Sequence, residues 1–249
     1  MDIIYSVCIF MIGLVFGSFF NVVGIRIPER TFFSLNRSKC LHCHHSLSWK
    51  ELIPLLSFSI QKGKCKHCTQ KISPIYPIVE LISGIGFLFS YHVLGHSEAL
   101  LTALLLISLF SIIMMTDWKY MIIPNKILLF FLPLFTISIL LDTPDHLHLN
   151  LFGAAFGYGV IAVIILASSG GMGAGDMKLL GLLGFVVGFP KVLSVLLLAA
   201  VFGLITAFML LILGKTMKST PIPFGPSLAL AAYIIFIYGD SWFYPFYYW

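Results

Sequence analysis

Two aspartates stand next to long apolar runs, at positions where a carboxylate could do acid–base chemistry. Asp117 follows the apolar run 99–116, and Asp176 precedes another run, in the sequence GAGDMK at 173–178. Two carboxylates that share one proton can hydrolyse a peptide, since one removes a proton from water while the other donates to the carbonyl. The pair is therefore a candidate aspartic protease site. The structural alternative is that Asp176 caps a helix and Asp117 pairs with a lysine.

Four of the five cysteines form two C-x2-C pairs, Cys40 with Cys43 and Cys65 with Cys68. Each pair can present two thiolates to one metal ion, and two pairs complete the tetrahedral four-thiolate shell of structural zinc sites. Such a shell has no open position, so a zinc ion bound here is structural rather than catalytic. A neighbouring histidine could replace one cysteine as a ligand. The four thiols could instead be reduced structural residues or include a redox pair.

A third acid, Glu80, lies just inside the apolar run 75–94. An ionisable side chain inside a membrane span is costly, and it therefore indicates a function by default. The structural alternative is an ion pair with Lys71 or a contact with a neighbouring helix.

The composition places these residues in a membrane protein. Of the 249 residues, 59% are hydrophobic and 10% are charged, whereas a soluble domain has about 25% charged residues. A soluble globular domain and intrinsic disorder are both excluded. The apolar runs that are candidate membrane crossings are 3–25, 75–94, 99–116, 122–141, 151–168, 177–189, 192–214 and 224–239. A crossing takes about 17–25 residues, so the short run 177–189 has to be tilted or extended, or has to meet a thinned bilayer.

The basic residues decide the predicted topology. Most of them crowd into the segment 26–74, and loops rich in lysine and arginine stay in the cytoplasm. With this segment inside and eight crossings, every lysine and arginine except Lys191 falls on the cytoplasmic side. Both termini then lie outside the cell membrane, and Asp117 and Asp176 both lie at the cytoplasmic face, at the same depth in the membrane. A basic loop could also bind nucleic acid, but its position beside the membrane favours a role in topology, and we expect no nucleic-acid partner.

The sequence thus predicts an all-α polytopic membrane protein, with about eight transmembrane helices in a lipid bilayer and a small cytoplasmic four-cysteine module at 26–74. This module is too small to be stable through a hydrophobic core alone, and it needs a cross-link such as a structural metal ion. We divide the chain into an N-terminal half, residues 1–94, with two spans and the module, and a six-span peptidase half, residues 99–249.

Four segments of the chain resemble the type IV prepilin leader peptidases, the bifunctional aspartic peptidase/N-methyltransferases of pilus, competence and type II secretion systems. The segments are GSFFNVV at 17–23 with Arg26 and Pro28; the two C-x2-C pairs with LSW at 47–49 and IPLLS at 53–57; YPIVE at 76–80; and Asp117 with IP at 123–124, GAGDMKLL at 173–180 and PFGP at 223–226. They follow the order of the family and cover nearly the whole chain.

The resemblance implies a membrane aspartic endopeptidase that cuts the basic leader from prepilin-like precursors at the cytoplasmic face of a bacterial cell membrane. By this resemblance Asp117 and Asp176 match the catalytic pair, and the four cysteines match the metal ligands. The resemblance also implies S-adenosylmethionine-dependent methylation of the new N-terminus by the N-terminal half, with Glu80, Gly17 and Asn21 as candidate residues.

The chain departs from the family pattern at two positions. Asn125 stands where many relatives have an acid, so this position is not counted as catalytic, and Leu41 stands where the first C-x2-C pair often has proline. Neither departure concerns the two aspartates.

Three further functions compete with this interpretation. The chain could be a GxGD-type intramembrane protease with different substrates and no methyltransferase activity, although the cysteine module argues against this. A proton-coupled small transporter predicts acids near the bilayer midplane and an internal repeat, and the sequence shows neither. A membrane scaffold without enzymatic activity is the third.

Overall fold

The computed structural model describes residues 2–32, 37–40, 42–142, 144–168, 172–212 and 223–243. Within these ranges the chain forms nine α-helices: α1 (Asp2–Arg26), α2 (Leu56–Ile60), α3 (Ile75–Leu94), α4 (Ala99–Tyr120), α5 (Asn125–Asp142), α6 (Leu147–Ala167), α7 (Ala174–Val187), α8 (Lys191–Ile212) and α9 (Gly225–Phe243). Short 3₁₀ helices cover Trp49–Leu52 and Pro144–His146. The prediction of an all-α membrane protein is confirmed.

Eight of these helices occupy the eight predicted apolar runs. In the described ranges six of them, α1, α3, α4, α5, α6 and α8, are long and apolar enough to cross a membrane, so the chain is a multi-pass membrane protein. Helix α7 has only 14 residues, and in α9 the apolar stretch among the described side chains is Gly225–Gly239. The count of eight crossings therefore stays a prediction.

Several helices extend beyond the predicted apolar runs, and two of these extensions take in the aspartates. Helix α4 continues past 116 to Tyr120, which places Asp117 in its last turns. Helix α7 begins at Ala174, so Asp176 lies in its first turn. A polar residue ends an apolar run without ending a helix, because the helix propensities of residues such as aspartate and tyrosine lie within about 0.7 kcal/mol of that of alanine, and an acid in the first turn is stabilised by the helix dipole.

Helix α4 is at the centre of the bundle. It packs against α1, α3, α5 and α9, and 67% of its apolar stretch is buried, against 11% in α8. The exposed face of α8 carries large apolar side chains such as Leu204 and Phe208, as expected of a helix surrounded by lipid. The central position of α4 brings its end, with Asp117, among the ends of its neighbours.

Helices α1 and α3 approach each other backbone to backbone. A Cβ atom on Gly17 would lie 2.7 Å from Cα of Glu80, and one on Gly13 would lie 2.8 Å from Cα of Gly84. Small residues at a helix interface allow such close packing in membranes. This contact fixes the position of Glu80 relative to α1.

Candidate functional site

The end of α4 holds Asp117 in a nearly buried position. Asp117 is 6% exposed. The helix ends at Met121, which adopts the left-handed conformation with φ 54° and donates its N–H to the backbone carbonyl of Asp117 at 3.0 Å. The side chain of Asp117 therefore stands at the point where the chain leaves the helix.

The first residue of α9 completes the surroundings of Asp117. The backbone N–H of Gly225 donates to Asp117 Oδ2 at 3.1 Å. A Cβ atom on Gly225 would lie 3.0 Å from Ile113 Cγ2, 3.1 Å from the same carboxylate oxygen and 3.1 Å from Ile123 Cδ1, so the position favours glycine. The partial positive charge of a helix N-terminus favours the anionic form of a nearby carboxylate. In the sequence Gly225 stands out only as a member of the PFGP motif, and its contact with Asp117 was not predicted.

Asp176 is half-buried in the first turn of α7. An acid in this turn interacts favourably with the helix dipole. Its carboxylate is hydrogen-bonded by the backbone N–H of Gly173, which is the N-cap residue of α7. Asp176 is thus not the N-cap residue itself but contacts that residue from within the first turn of the helix.

The helix ends that carry the two aspartates meet around Ile123. A Cβ atom added to Gly175, in α7, would lie 3.1 Å from Ile123 Cβ, and one added to Gly225, in α9, would lie 3.1 Å from Ile123 Cδ1. Asp117 and Asp176 are close enough for their negative charges to act on each other. The structure therefore brings the two predicted residues together, at the junction of the end of α4 with the starts of α7 and α9.

The lysine nearest to Asp117 in sequence has another partner. Lys119 Nζ lies 3.3 Å from Glu29 Oε1, and the hydroxyl of Tyr120 also donates to Glu29. The hydrogen bond from Tyr120 and the charge of Lys119 hold the pKa of Glu29 below its ordinary value. Within the described ranges no ion pair joins Asp117 to a lysine, and the Glu29 contacts instead connect the end of α1 to the helix that carries Asp117.

Lys178, two residues after Asp176, points to a neighbouring helix. Its Nζ donates to Asn125 Oδ1 at 3.1 Å, and both residues are exposed. Asn125 begins α5, so this contact ties α5 to α7 beside the aspartates. The contact joins an ammonium group to a neutral amide rather than to an acid.

The four cysteines of the module form one cluster. The Sγ atoms of Cys40, Cys43, Cys65 and Cys68 all lie within 4.8 Å of one another, although the two pairs are far apart in sequence. Cys40 Sγ and Cys68 Sγ are 3.8 Å apart. This arrangement could hold a metal ion.

The two C-x2-C pairs adopt the same turn. The N–H of His44 donates to the carbonyl of Cys40 at 3.0 Å, and the N–H of Thr69 donates to that of Cys65 at 2.9 Å. His44 and Thr69 both adopt positive φ angles, 55° and 59°. The backbone N–H groups of Cys43 and His42 lower the pKa of Cys40 to about 6, and a thiolate is the form that binds metals.

A cavity of about 640 Å³ lies between the module and the ends of α1 and α3. Ligand sites for small molecules have volumes of about 300–1,000 Å³. Among the residues that line it are Asn21, Glu29, Glu51, Phe58 and Glu80. The cavity is therefore large enough for a small-molecule ligand and has both apolar and charged walls.

Glu80 and Asn21 face this cavity from two helices. Glu80 is 8% exposed, and its Oε2 accepts a hydrogen bond from the backbone N–H of Leu55 at 2.9 Å. Among the residues that the structure describes, Glu80 forms no ion pair with Lys71. Asn21 donates to the carbonyl of Tyr76 at 3.1 Å, while its buried Oδ1 has no hydrogen-bond partner in the described ranges. Gly17 does not line the cavity but packs against the backbone of Glu80.

Two interacting carboxylates at the ends of membrane helices define the class of site found in membrane aspartic peptidases. Two family models match the chain: the bacterial peptidase A24 N-terminal domain at residues 11–94 and the type IV leader peptidase family at residues 104–208. The chain belongs to the type IV leader peptidase family.

Similar curated proteins cover nearly the whole chain. A prepilin leader peptidase/N-methyltransferase of Bacillus subtilis (strain 168) is 38% identical over 94% of this chain and 94% of its own length. Proteins of the same description from Aeromonas hydrophila and Aeromonas salmonicida (strain A449) are 33% and 34% identical, and each match covers 96% of this chain and 92% of the relative. No solved structure matches the chain.

Proposed function

We propose that this protein is a membrane aspartic endopeptidase that removes the basic leader from prepilin-like precursors and then N-methylates the new N-terminus. The observation that carries the peptidase assignment is the meeting of Asp117 and Asp176 at the junction of α4, α7 and α9. The names of the relatives, prepilin leader peptidase/N-methyltransferase, support the substrate class and the second activity.

In the proposed cleavage reaction the two aspartates hold one proton between them. The ionised carboxylate removes a proton from a water molecule as this water attacks the scissile carbonyl, and the protonated carboxyl donates its proton to the carbonyl oxygen. The resulting tetrahedral intermediate collapses when a proton passes to the leaving amine, which becomes the new N-terminus. The N–H of Gly225 orients Asp117, and the start of α7 orients Asp176.

The four-cysteine cluster fits a structural zinc ion. A tetrahedral shell with Zn–S bonds of about 2.3 Å has sulfur–sulfur separations of about 3.8 Å. The Cys40–Cys68 separation of 3.8 Å agrees with this value. We infer that Cys40, Cys43, Cys65 and Cys68 hold zinc and that the ion joins the two halves of the module.

The cavity beside the module fits S-adenosylmethionine, which supplies an electrophilic methyl group when bound. Its volume of about 640 Å³ suits a ligand of this size. The buried Oδ1 of Asn21 lacks a partner among the described residues, and the Glu80 carboxylate accepts hydrogen bonds from the N–H of Leu55 and the hydroxyl of Ser18. We propose that Asn21 and Glu80 accept hydrogen bonds from the bound molecule, while Gly17 acts indirectly by positioning Glu80.

We also propose a membrane topology and assign one of the two activities to each half of the chain. The module and the aspartate pair face the cytoplasm, and both termini lie on the outer side of the cell membrane, because this arrangement keeps almost all lysines and arginines inside. The N-terminal half, residues 1–94, methylates, and the peptidase half, residues 99–249, cleaves. The two family models, at residues 11–94 and 104–208, support this division.

Mass spectrometry of a prepilin that is co-expressed with the enzyme tests both activities in one measurement. We expect the substrate to lose its leader and to carry a methyl group on its new N-terminus. An intact prepilin in the presence of folded, membrane-inserted enzyme would contradict the peptidase assignment. A prepilin that is cleaved but wholly unmethylated, with ample S-adenosylmethionine, would show that the protein is a peptidase without methyltransferase activity.

A further inference from the structure

The outer surface of the cysteine module carries three exposed apolar side chains close together in sequence. Trp49 is 71% exposed, Leu56 is 58% exposed and Ile60 is 79% exposed. Leu56 and Ile60 lie four residues apart in α2 and therefore share one side of that helix. We call Trp49, Leu56 and Ile60 the apolar triad. In a water-soluble module such side chains are normally covered, so this surface needs a partner.

The helix that carries two members of the apolar triad is held near the start of α3. The backbone N–H of Leu55, the residue before α2, donates to the buried carboxylate of Glu80. Glu80 is the sixth residue of α3, which is one of the helices able to span the membrane. At 1.5 Å per residue it lies only about 8 Å from the start of α3. The hydrogen bond therefore holds α2 beside the end of a membrane span.

The charges around the triad are mostly positive. The exposed basic side chains of the module are Arg30, Arg37, Lys39, Lys50, Lys62, Lys64, Lys66 and Lys71. Between residues 26 and 74 the sequence has only two acids, Glu29 and Glu51. Glu29 is paired with Lys119, and Glu51 is hydrogen-bonded by the N–H and hydroxyl of Ser48. The module thus carries exposed ammonium groups as well as exposed apolar side chains, and the ammonium group of Lys50 lies over the ring of Trp49.

We propose that the apolar triad and the lysines around it form a binding surface for anionic lipid headgroups. Tryptophan prefers the membrane–water interface, and an interfacial segment inserts its apolar face while lysines meet anionic headgroups. Trp49 also carries the ammonium group of Lys50 over its ring, at 5.4 Å from the centroid. A segment with a basic leader is a poorer partner for this surface, because its charges would be repelled.

Lipid binding at this surface bears on the cavity, because α2 separates the two. Ser57 and Phe58, in the same helix, line the cavity. A triad anchored in the headgroup layer therefore holds one wall of the cavity in place against α1 and α3.

Tryptophan fluorescence tests this proposal in the full chain, reconstituted in nanodiscs with brominated lipids as quenchers. The contribution of Trp49 is the difference between the native protein and Trp49→Phe. We expect this contribution to be quenched at least about twofold more in brominated phosphatidylglycerol than in brominated phosphatidylcholine, since the lysines attract the anionic headgroup. High salt and Lys62→Gln/Lys64→Gln should reduce the difference, whereas the matched control Lys126→Gln, an exposed lysine outside the module, should not.

A second variant separates lipid contact from folding. Leu56→Ser/Ile60→Ser should lower the quenching of Trp49 without changing the zinc content, which reports an intact module. Equal quenching of Trp49 in both lipids would overturn the proposal. Protection of Trp49 fluorescence from iodide quenching by a synthetic prepilin peptide, in phosphatidylcholine nanodiscs, would also overturn it. The surface would then be a binding site for the peptide. Neither readout depends on cleavage or methylation.

Discussion

The carboxylate of Asp117 accepts a hydrogen bond from the backbone N–H of Gly225, a residue 108 positions further along the chain. The last described helix therefore supplies a group to the end of α4, in the middle of the sequence. Helix α7 starts beside the same Ile123 side chain that contacts the start of α9. The surroundings of the two aspartates are thus built from α4, α7 and α9 together.

Removing the charge of either aspartate should abolish cleavage. We expect Asp117→Asn and Asp176→Asn each to reduce turnover by about 10²–10⁴-fold, the usual contribution of a general acid or base. Asparagine keeps the shape of the side chain, so both variants should remain folded and inserted. The measurement is cleavage of a prepilin in membranes, with Asp142→Asn, an exposed residue at the end of α5, as the matched control. Near-normal turnover in either active-site variant would show that the substituted aspartate is not a catalytic residue.

A methyl group on Gly225 should displace Asp117. The added Cβ of Gly225→Ala would lie 3.1 Å from Asp117 Oδ2 and 3.0 Å from Ile113 Cγ2, so the carboxylate or the start of α9 has to shift. A shift of a few tenths of an ångström relieves these contacts. Since misplacement of a reacting group by about 1 Å can cost about 10²-fold in rate, we expect a loss of up to about tenfold in kcat. The control is Gly159→Ala, where the added atom meets nothing within 4 Å. Equal activity of the two variants would show that the contact with Gly225 does not position Asp117.

The purified protein should contain about one zinc ion per chain, bound by four thiolates. Cys40→Ser should lower the zinc content, measured by elemental analysis, and should make the module more sensitive to proteolysis. Cys8→Ser, which changes an exposed cysteine of α1 outside the cluster, should leave both properties unchanged. Full zinc occupancy in a variant that lacks all four clustered cysteines would rule out this site.

The two proposed activities should separate in variants. Asp176→Asn should stop cleavage yet still methylate a substrate supplied with its mature N-terminus, because the amine is already free. Glu80→Gln should reduce methylation more than cleavage, since the amide keeps an acceptor for the N–H of Leu55 but loses the charge in the cavity. Glu98→Gln, at an exposed site before α4, is the matched control. A parallel fall of both activities and of thermal stability in Glu80→Gln would instead indicate that Glu80 only packs α3.

The sequence by itself determined the membrane fold and the candidate chemistry. Hydrophobicity is a local property, and a run such as 99–116 is apolar whatever it packs against, so the helices could be placed before any contact was known. The C-x2-C spacing is equally local, because two cysteines in one short turn are neighbours in any fold. Acids next to apolar runs are visible for the same reason, which is why Asp117, Asp176 and Glu80 could be named as candidates.

Only the tertiary structure decided which groups meet. The N–H of Gly225 at Asp117 and the N–H of Leu55 at Glu80 are backbone contacts between distant segments, and no pattern of side-chain types records them. The ion pair of Glu80 with Lys71, one of the structural alternatives, does not form in the described ranges, because the buried carboxylate takes a neutral backbone donor and the lysine stays exposed. Such contacts depend on how closely the helices pack, and that distance is set by residues such as Gly17, which lie on other helices than the groups they position.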